Sequence, residues 1–256
     1  MRRFAIGTTV CLALAACSSG STPSGTPTVT MPVGSSAASG SGSATPATAT
    51  GACANDYLIA VPGATWTYKV DVAGQRAVSK QTVGPVTATG FTTVTRSGGF
   101  VERDVWSCTP RGLVALRQTV TGSAPLLGSE QNFHHYKVVG ISLPKNLYVG
   151  AAWTTTTSSR TMLSLLGAGS HPEFQVVRVS LRVVGEDQIT TPAGSFHTLK
   201  VQAVSVTDKR SPGFNMHTHA TSRSTEWLAK GVGMVRSIGS SGGFSRSSTL
   251  VAYEIP

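Results

Sequence analysis

The chain of 256 residues is poor in charge and in aromatic side chains, with 12% and 7% of positions respectively. Acids are the scarcest class: 11, against 21 Lys and Arg, for a formal charge of +10. The Glu, Lys and Leu heptads of a coiled coil are missing. Outside the N-terminus no apolar run approaches the roughly 20 residues of a spanning helix, which excludes a polytopic membrane protein. The 28 glycines keep no three-residue period, which excludes collagen. Basic residues stand mostly singly, with no run of four, rather than in the clusters that mark nucleic-acid binding, so no nucleic-acid partner is expected. The Gly-x-Ser-x-Gly elbow, the His-Glu-x-x-His zinc helix and phosphate-binding glycine loops are also missing. No catalytic residue and no cofactor is therefore expected. What is present is 40% hydrophobic residues, enough for one core.

The first twenty residues carry an address. Arg2 and Arg3 precede an apolar stretch from Phe4 to Ala13, the length of a secretory signal and too short to span a bilayer. It ends in Leu14-Ala15-Ala16-Cys17. This resembles the lipobox of bacterial lipoproteins, and the Arg pair lacks the rest of a twin-arginine motif. The resemblance implies cleavage before Cys17 and a diacylglycerol on its thiol, hence an extracytoplasmic protein anchored to the bacterial cell membrane. The alternative is an ordinary signal with a chance cysteine. Residues 1–16 are then the signal peptide. From Cys17 to Ala52 the chain is almost wholly Ser, Thr, Pro, Gly and Ala, uncharged and without aromatics. Such a segment cannot offset its ordering entropy. It is expected to be a disordered tether reaching on the order of 30 Å.

Four cysteines are present. Cys11 leaves with the signal and Cys17 takes lipid, so Cys53 and Cys108 remain as a pair. In an oxidising compartment a disulfide between them is expected, with two free thiols as the alternative. Neither has a second Cys or His at metal-ligand spacing.

From Cys53 to Pro256 turn signals alternate with β-branched runs, which predicts one all-β domain. The expected architecture is a single curved antiparallel sheet or (half-)barrel of about 11–12 strands. Thr65–Val72 and Arg76–Val83 flank Ala73-Gly74 as a hairpin, and Phe91–Arg96 and Phe100–Cys108 flank Ser97-Gly98-Gly99 as another. Leu113–Val120, His135–Val139 and Trp153–Ser158 follow. In Phe174–Val184, Val177, Val179, Leu181 and Val183 alternate with Arg178, Ser180 and Arg182, giving one dry face and one wet face. Phe196–Val206, Phe214–Trp227, Val232–Ile238 and Phe244–Ile255 complete the set. Arg160–Leu166 reads as a short helix or an apolar loop. Gly63-Ala64-Thr65-Trp66-Thr67 echoes in Gly150-Ala151-Ala152-Trp153-Thr154, which points to two β meanders or to a common way of starting a strand.

Four further segments stand out: Tyr57 with Gly63-x-x-Trp66-x-Tyr68; Leu143-Pro144 followed by Val149-Gly150-x-x-Trp153; Thr191-Pro192-Ala193-Gly194-Ser195-Phe196; and Glu226-Trp227-Leu228-Ala229-Lys230-Gly231-Val232-Gly233-Met234-Val235-Arg236. They resemble a group of uncharacterised bacterial exported proteins and lipoproteins that share a "TPAGTF" turn and a "GVGLVK" hairpin. Ser195 and Met234 depart conservatively from that pattern, and Glu226, Leu228 and Lys230 depart more. The resemblance implies a curved antiparallel sheet, similar in outline to the half-barrels of lipoprotein carriers. It supplies no activity and no catalytic residue.

Trp66, Trp106, Trp153 and Trp227 are expected to bury against the concave face. Glu102 and Asp104 share a face, read as the wet one because Val101 and Val105 take the other. Glu186 and Asp187 are adjacent and would point apart. His217 and His219 project to one side of a strand, as metal ligands do, but so do Thr221, Arg223 and Thr225, so a polar outer face is expected and no metal is assigned. Two functions remain. One is a non-enzymatic structural or interaction module of the envelope. The other is a carrier of a lipid or other apolar ligand in the concave side. Envelope polymers are a further candidate ligand, since scattered cations attract anionic surfaces. The run Met162-Leu163-Ser164-Leu165-Leu166 separates the two: exposed at a mouth it is a lid, packed it is a plug.

Overall fold

The computed structural model describes residues 51–122, 131–165 and 169–256. The expected signal peptide, Cys17 and the expected tether up to residue 50 lie outside the described residues. A 3-10 turn, Gly51–Cys53, opens the described chain. Thirteen strands follow: β1 Thr65–Val72, β2 Gln75–Val86, β3 Gly90–Ser97, β4 Phe100–Thr109, β5 Gly112–Gly122, β6 Gln131–Gly140, β7 Leu143–Pro144, β8 Ala152–Leu165, β9 Gly169–Thr191, β10 Gly194–Ser211, β11 Met216–Ala229, β12 Gly233–Ser241 and β13 Phe244–Glu254. They form one curved antiparallel sheet in the order β4-β3-β2-β1-β13-β12-β11-β10-β9-β8-β6-β5-β7, and β4 also pairs with β5. The expected all-β curved sheet is what the chain forms. The additional strand is the two-residue β7, which reaches β5 through Leu143 opposite Leu113.

Tight turns set the hairpins. Ala73 and Gly74 both have positive φ, the mirror-image turn whose twist matches paired strands. Asp71 Oδ1 accepts from the Gly74 amide at 2.9 Å. At the Thr191-Pro192-Ala193-Gly194 turn the Thr191 hydroxyl accepts from the Ala193 amide at 3.1 Å. Bulges interrupt the pairing of β1 with β13, β4 with β5, β9 with β10 and β11 with β12. Each adds local bend and twist, and their spread round the sheet accounts for its curl.

The alternation read in β9 holds. Val177, Val179, Leu181 and Val183 are buried, while Arg178, Ser180, Arg182 and Val184 are exposed. Across the sheet Val183, Leu181, Val179 and Val177 stand opposite Val201, Ala203, Ser205 and Thr207 of β10. The inside thus grades along the strands from apolar to hydroxyl-rich. Arg160–Leu166 corrects the expected helix or loop, because β8 runs through to Leu165. Its partner β9 supplies an antiparallel neighbour along its whole length, and Thr154 to Thr157 give it β-branched propensity.

The sequence echo has a structural counterpart. Gly63 donates to Val83 O, Ala64 to Val61 O, and Val83 to Ala64 O. Gly150 donates to Val183 O, Ala151 to Tyr148 O, and Val183 to Ala151 O. The same three-bond bracket opens β1 and β8, with Gly63 and Gly150 both at positive φ. Strands β1–β6 and β8–β13 are therefore two meanders of six.

Ahead of β1, residues 53–64 tuck into the concave side. Cys53, Ile59, Ala60 and Ala64 are buried there. The Asn55 amide donates to Pro144 O at 3.0 Å, and its Oδ1 accepts from the Tyr57 and Leu58 amides. Cys53 is disulfide-bonded to Cys108 of β4, 55 positions away. On the chain-entropy account a loop of that length adds about 4 kcal/mol. The double variant Cys53→Ser/Cys108→Ser is expected to lose about that amount in urea unfolding. A loss below about 1 kcal/mol would show that the segment stays seated without the bond.

Candidate functional site

The enclosed end of the sheet is the best candidate. Three tryptophans point into it, and each indole N–H has an acceptor: Trp66 to Val232 O at 2.7 Å, Trp106 to the Thr93 hydroxyl at 3.2 Å, and Trp153 to Ser142 O at 3.2 Å. Phe91 stacks on Trp106 with centroids 5.9 Å apart. Tyr57, Leu58 and Ile59 of the inserted segment meet them, as do Leu143, Leu181, Val201 and Leu228. The cavity left among these groups is about 50 Å3, room for a few water molecules at most.

Trp227 corrects the expectation that all four tryptophans face inward. Its register partners are Lys200 and Arg236, whose cationic groups lie 5.7 and 5.5 Å from its ring centroid. Its Nε1 donates to Asp187 Oδ2 at 2.8 Å. This hydrogen bond, followed by that of Lys200, holds Asp187 below the usual carboxylate range. Trp227 is only 8% exposed because these long side chains cover it on the convex face. Glu226 takes the inward place instead.

Acids sit where the sequence suggested water. Glu102 and Asp104 face inward, opposite Thr95 and Thr93 of β3, and Glu102 is buried. The wet-side reading fails because the inside is polar at this level, so Trp106 and the two carboxylates share it. Gln118 donates to Glu102 at 2.6 Å, and Thr93 donates to Asp104 at 3.2 Å. Asp104 is partly accessible as a residue, yet its carboxyl group is crowded on nearly every side. Burial, and next the charge on Glu102, push it up to about 8, against the hydrogen bonds from Thr93 and Gln118. Glu226, 7% exposed, is pushed up to about 7 by burial, with the Arg246 charge pulling the other way. Burial also raises Tyr68, whose hydroxyl donates to Met234 O at 3.0 Å.

The β4–β5 bulge falls between Val105 and Trp106, and the β11–β12 bulge between Trp227 and Leu228. Counted from these bulges, Asp104 and Glu226 hold equivalent positions in the two meanders, and both line the cavity. Beyond them the inside is lined by Ser79, Thr95, Ser97, Thr155, Ser205 and Ser248, whose buried side-chain oxygens find no hydrogen-bond partner among the described residues. Glu226 was visible in the sequence only as a departure from the hairpin motif. The missing signal was its parity with Leu228 and Ser224.

The other singled-out residues disperse. His217 and His219 lie exposed on the convex face, 3.9 and 2.8 Å from Asp208 Oδ1. His197 meets Glu186 at 3.3 Å, and His171 meets the Phe214 ring edge-on. Side chains of His134 and His135 lie outside the described residues. Among the described residues no group of three His, Cys, Asp or Glu is placed to hold a metal. Met162 is exposed, and Leu166 lies outside the described residues.

Residues 124–248 match the DUF3108-like family, a stretch that takes in β6 to β12 and the start of β13. Two solved structures are similar. One is described as a candidate lipoprotein from Parabacteroides distasonis, 16% identical with a TM-score of 0.42, covering 79% of this chain and 99% of that one. The other is described as a candidate exported protein with a YmcC-like fold from Bacteroides fragilis, 13% identical with a TM-score of 0.38, covering 78% and 99%. No curated protein matches.

The raised acids make stability depend on pH. Glu226 and Asp104 bind protons more tightly in the native state than in the unfolded chain. Their contribution is therefore complete below the ordinary carboxylate range and is lost as pH rises through about 7 and about 8. Glu226→Gln keeps a neutral group there. It is expected to flatten this dependence and to exceed the wild type by on the order of 2–3 kcal/mol near pH 8. Urea midpoints across pH check this, and equal slopes for the two proteins would contradict it.

Proposed function

We propose that the chain is an extracytoplasmic lipoprotein, held to the cell membrane by a diacylglycerol on Cys17, that serves without chemistry as a structural or interaction module of the envelope. The observation that carries the non-carrier half of this reading is the filling of the concave side. Residues 53–64 and three tryptophans occupy its apolar end and leave about 50 Å3 among them, whereas ligand pockets hold roughly 300–1,000 Å3. Among the described residues an acyl chain has no room at that end unless the inserted segment leaves, and the disulfide and Asn55 both hold that segment in place.

The anchor half rests on Leu14-Ala15-Ala16-Cys17 and on the single cysteine pair of the folded domain, bonded as an oxidising compartment allows. Two acyl chains give stable membrane attachment where one gives marginal binding. Cys17→Ala is expected to move the protein into the soluble fraction when membranes are washed at about 1 M salt, where the Debye length is about 3 Å. Wild-type protein is expected to stay with the membranes. Equal retention of both would overturn the anchor.

A further inference from the structure

The convex face of β8–β11 carries arginines and apolar side chains but no acid over its middle. Its outward positions on β9 are Val176, Arg178, Ser180, Arg182 and Val184. On β10 they are Gln202, Val204 and Val206, and on β11 Thr221, Arg223 and Thr225. Val204 stands directly opposite Ser180 on one side and Arg223 on the other, with Arg178 and Arg182 one step along β9 in each direction. Three guanidinium-bearing residues thus ring one valine that is 39% exposed, and Val184 beside them is 41% exposed. Among the described residues no ion pair engages Arg178, Arg182 or Arg223. The acids of this face, Asp187 and Asp208, lie toward its two ends, Asp187 engaged by Trp227 and Lys200 and Asp208 beside His219.

A groove of about 650 Å3 runs over the same strands, lined by Val149, Thr154, Arg182, Val184, Gln202 and Val204. Its rim is the loop after β7, where Tyr148 and Val149 are exposed. The Asn55 amide is hydrogen-bonded to Pro144 at the start of that loop. Asn55 near the start of the described chain is thus bonded to the strand that precedes the rim loop.

We propose that this face docks on an anionic phospholipid surface, with Arg178, Arg182 and Arg223 against headgroup phosphates and Val149, Val184 and Val204 at the interface. Charge complementarity selects that occupant: unpaired arginines interspersed with exposed valines match an anionic surface with an apolar layer beneath, and each cation near such a surface strengthens attachment. This deepens the anchored reading, since the tether would hold the domain within reach of the membrane, but the docking itself does not need the lipid on Cys17.

The test uses the full chain carrying C17S, mixed with vesicles of pure phosphatidylcholine or of phosphatidylcholine with phosphatidylglycerol, at low salt. Binding is expected to the anionic vesicles and to weaken with added salt. At about fivefold per cation near the surface, R178Q/R182Q/R223Q is expected to lower affinity about 100-fold. R178K/R182K/R223K should keep it. A control with the same charge change on β1–β3, K69Q/K80Q/R96Q, should stay near the starting affinity. Equal binding to neutral and anionic vesicles overturns the proposal. So do equal losses from the two glutamine triples, which would mean net charge and not this face. Failure here leaves the Cys17 fractionation result standing, and failure of that result leaves this one standing.

Discussion

A sheet curled this tightly has to fill its own inside, and most of the molecule's features answer to that constraint. Thirteen strands enclose more space than a chain with 7% aromatics can fill from strand side chains alone. At one end the deficit is met by the chain itself. Residues 53–64 enter the concave side, the disulfide fixes their first residue to β4, and the Asn55 side chain bridges to β7. Trp66, Trp106 and Trp153 close round them with every indole N–H satisfied. At the other end the inside is lined by hydroxyls, and some of those oxygens are buried without partners among the described residues, each at a cost of about 1–3 kcal/mol.

The two-meander architecture gives this arrangement its symmetry. The bracket at Gly63 and the bracket at Gly150 place Trp66 and Trp153 alike, and the bulges place Asp104 and Glu226 alike. The two halves then diverge. Asp104 has a second carboxylate and two hydrogen-bond donors near it, while Glu226 faces the charge of Arg246. The first half also receives the disulfide. A repeated frame has thus been filled in two ways, with titratable groups at the matching positions.

Much of this was legible in the residues. The Ala73-Gly74 turn located β1 and β2 almost to the residue, and the Val/Arg alternation of β9 gave the two faces of the longest strand. The cysteine arithmetic pointed to the pair that is bonded. What parity cannot give is which face is inside when the inside is polar. Glu102 and Asp104 read as water-facing because Val101 and Val105 take the other side, and only the register with Thr93 and Thr95 shows otherwise. Trp227 was assigned to the core because tryptophan usually lies there, yet Lys200 and Arg236 bury it on the outside. The short strand β7 and the inserted segment left no periodic signal, since both are held by contacts distant in sequence.

The central claim is that the concave side is occupied by the chain's own residues. Native mass spectrometry of the full chain carrying Cys17→Ser, purified without detergent from an exporting host, tests it most directly. The account predicts a bare polypeptide mass carrying the Cys53–Cys108 bond, unchanged by extraction with organic solvent. A reproducible added mass that solvent removes would contradict it. That result would mean that residues 53–64 yield their place to an apolar ligand, and that the molecule is a carrier.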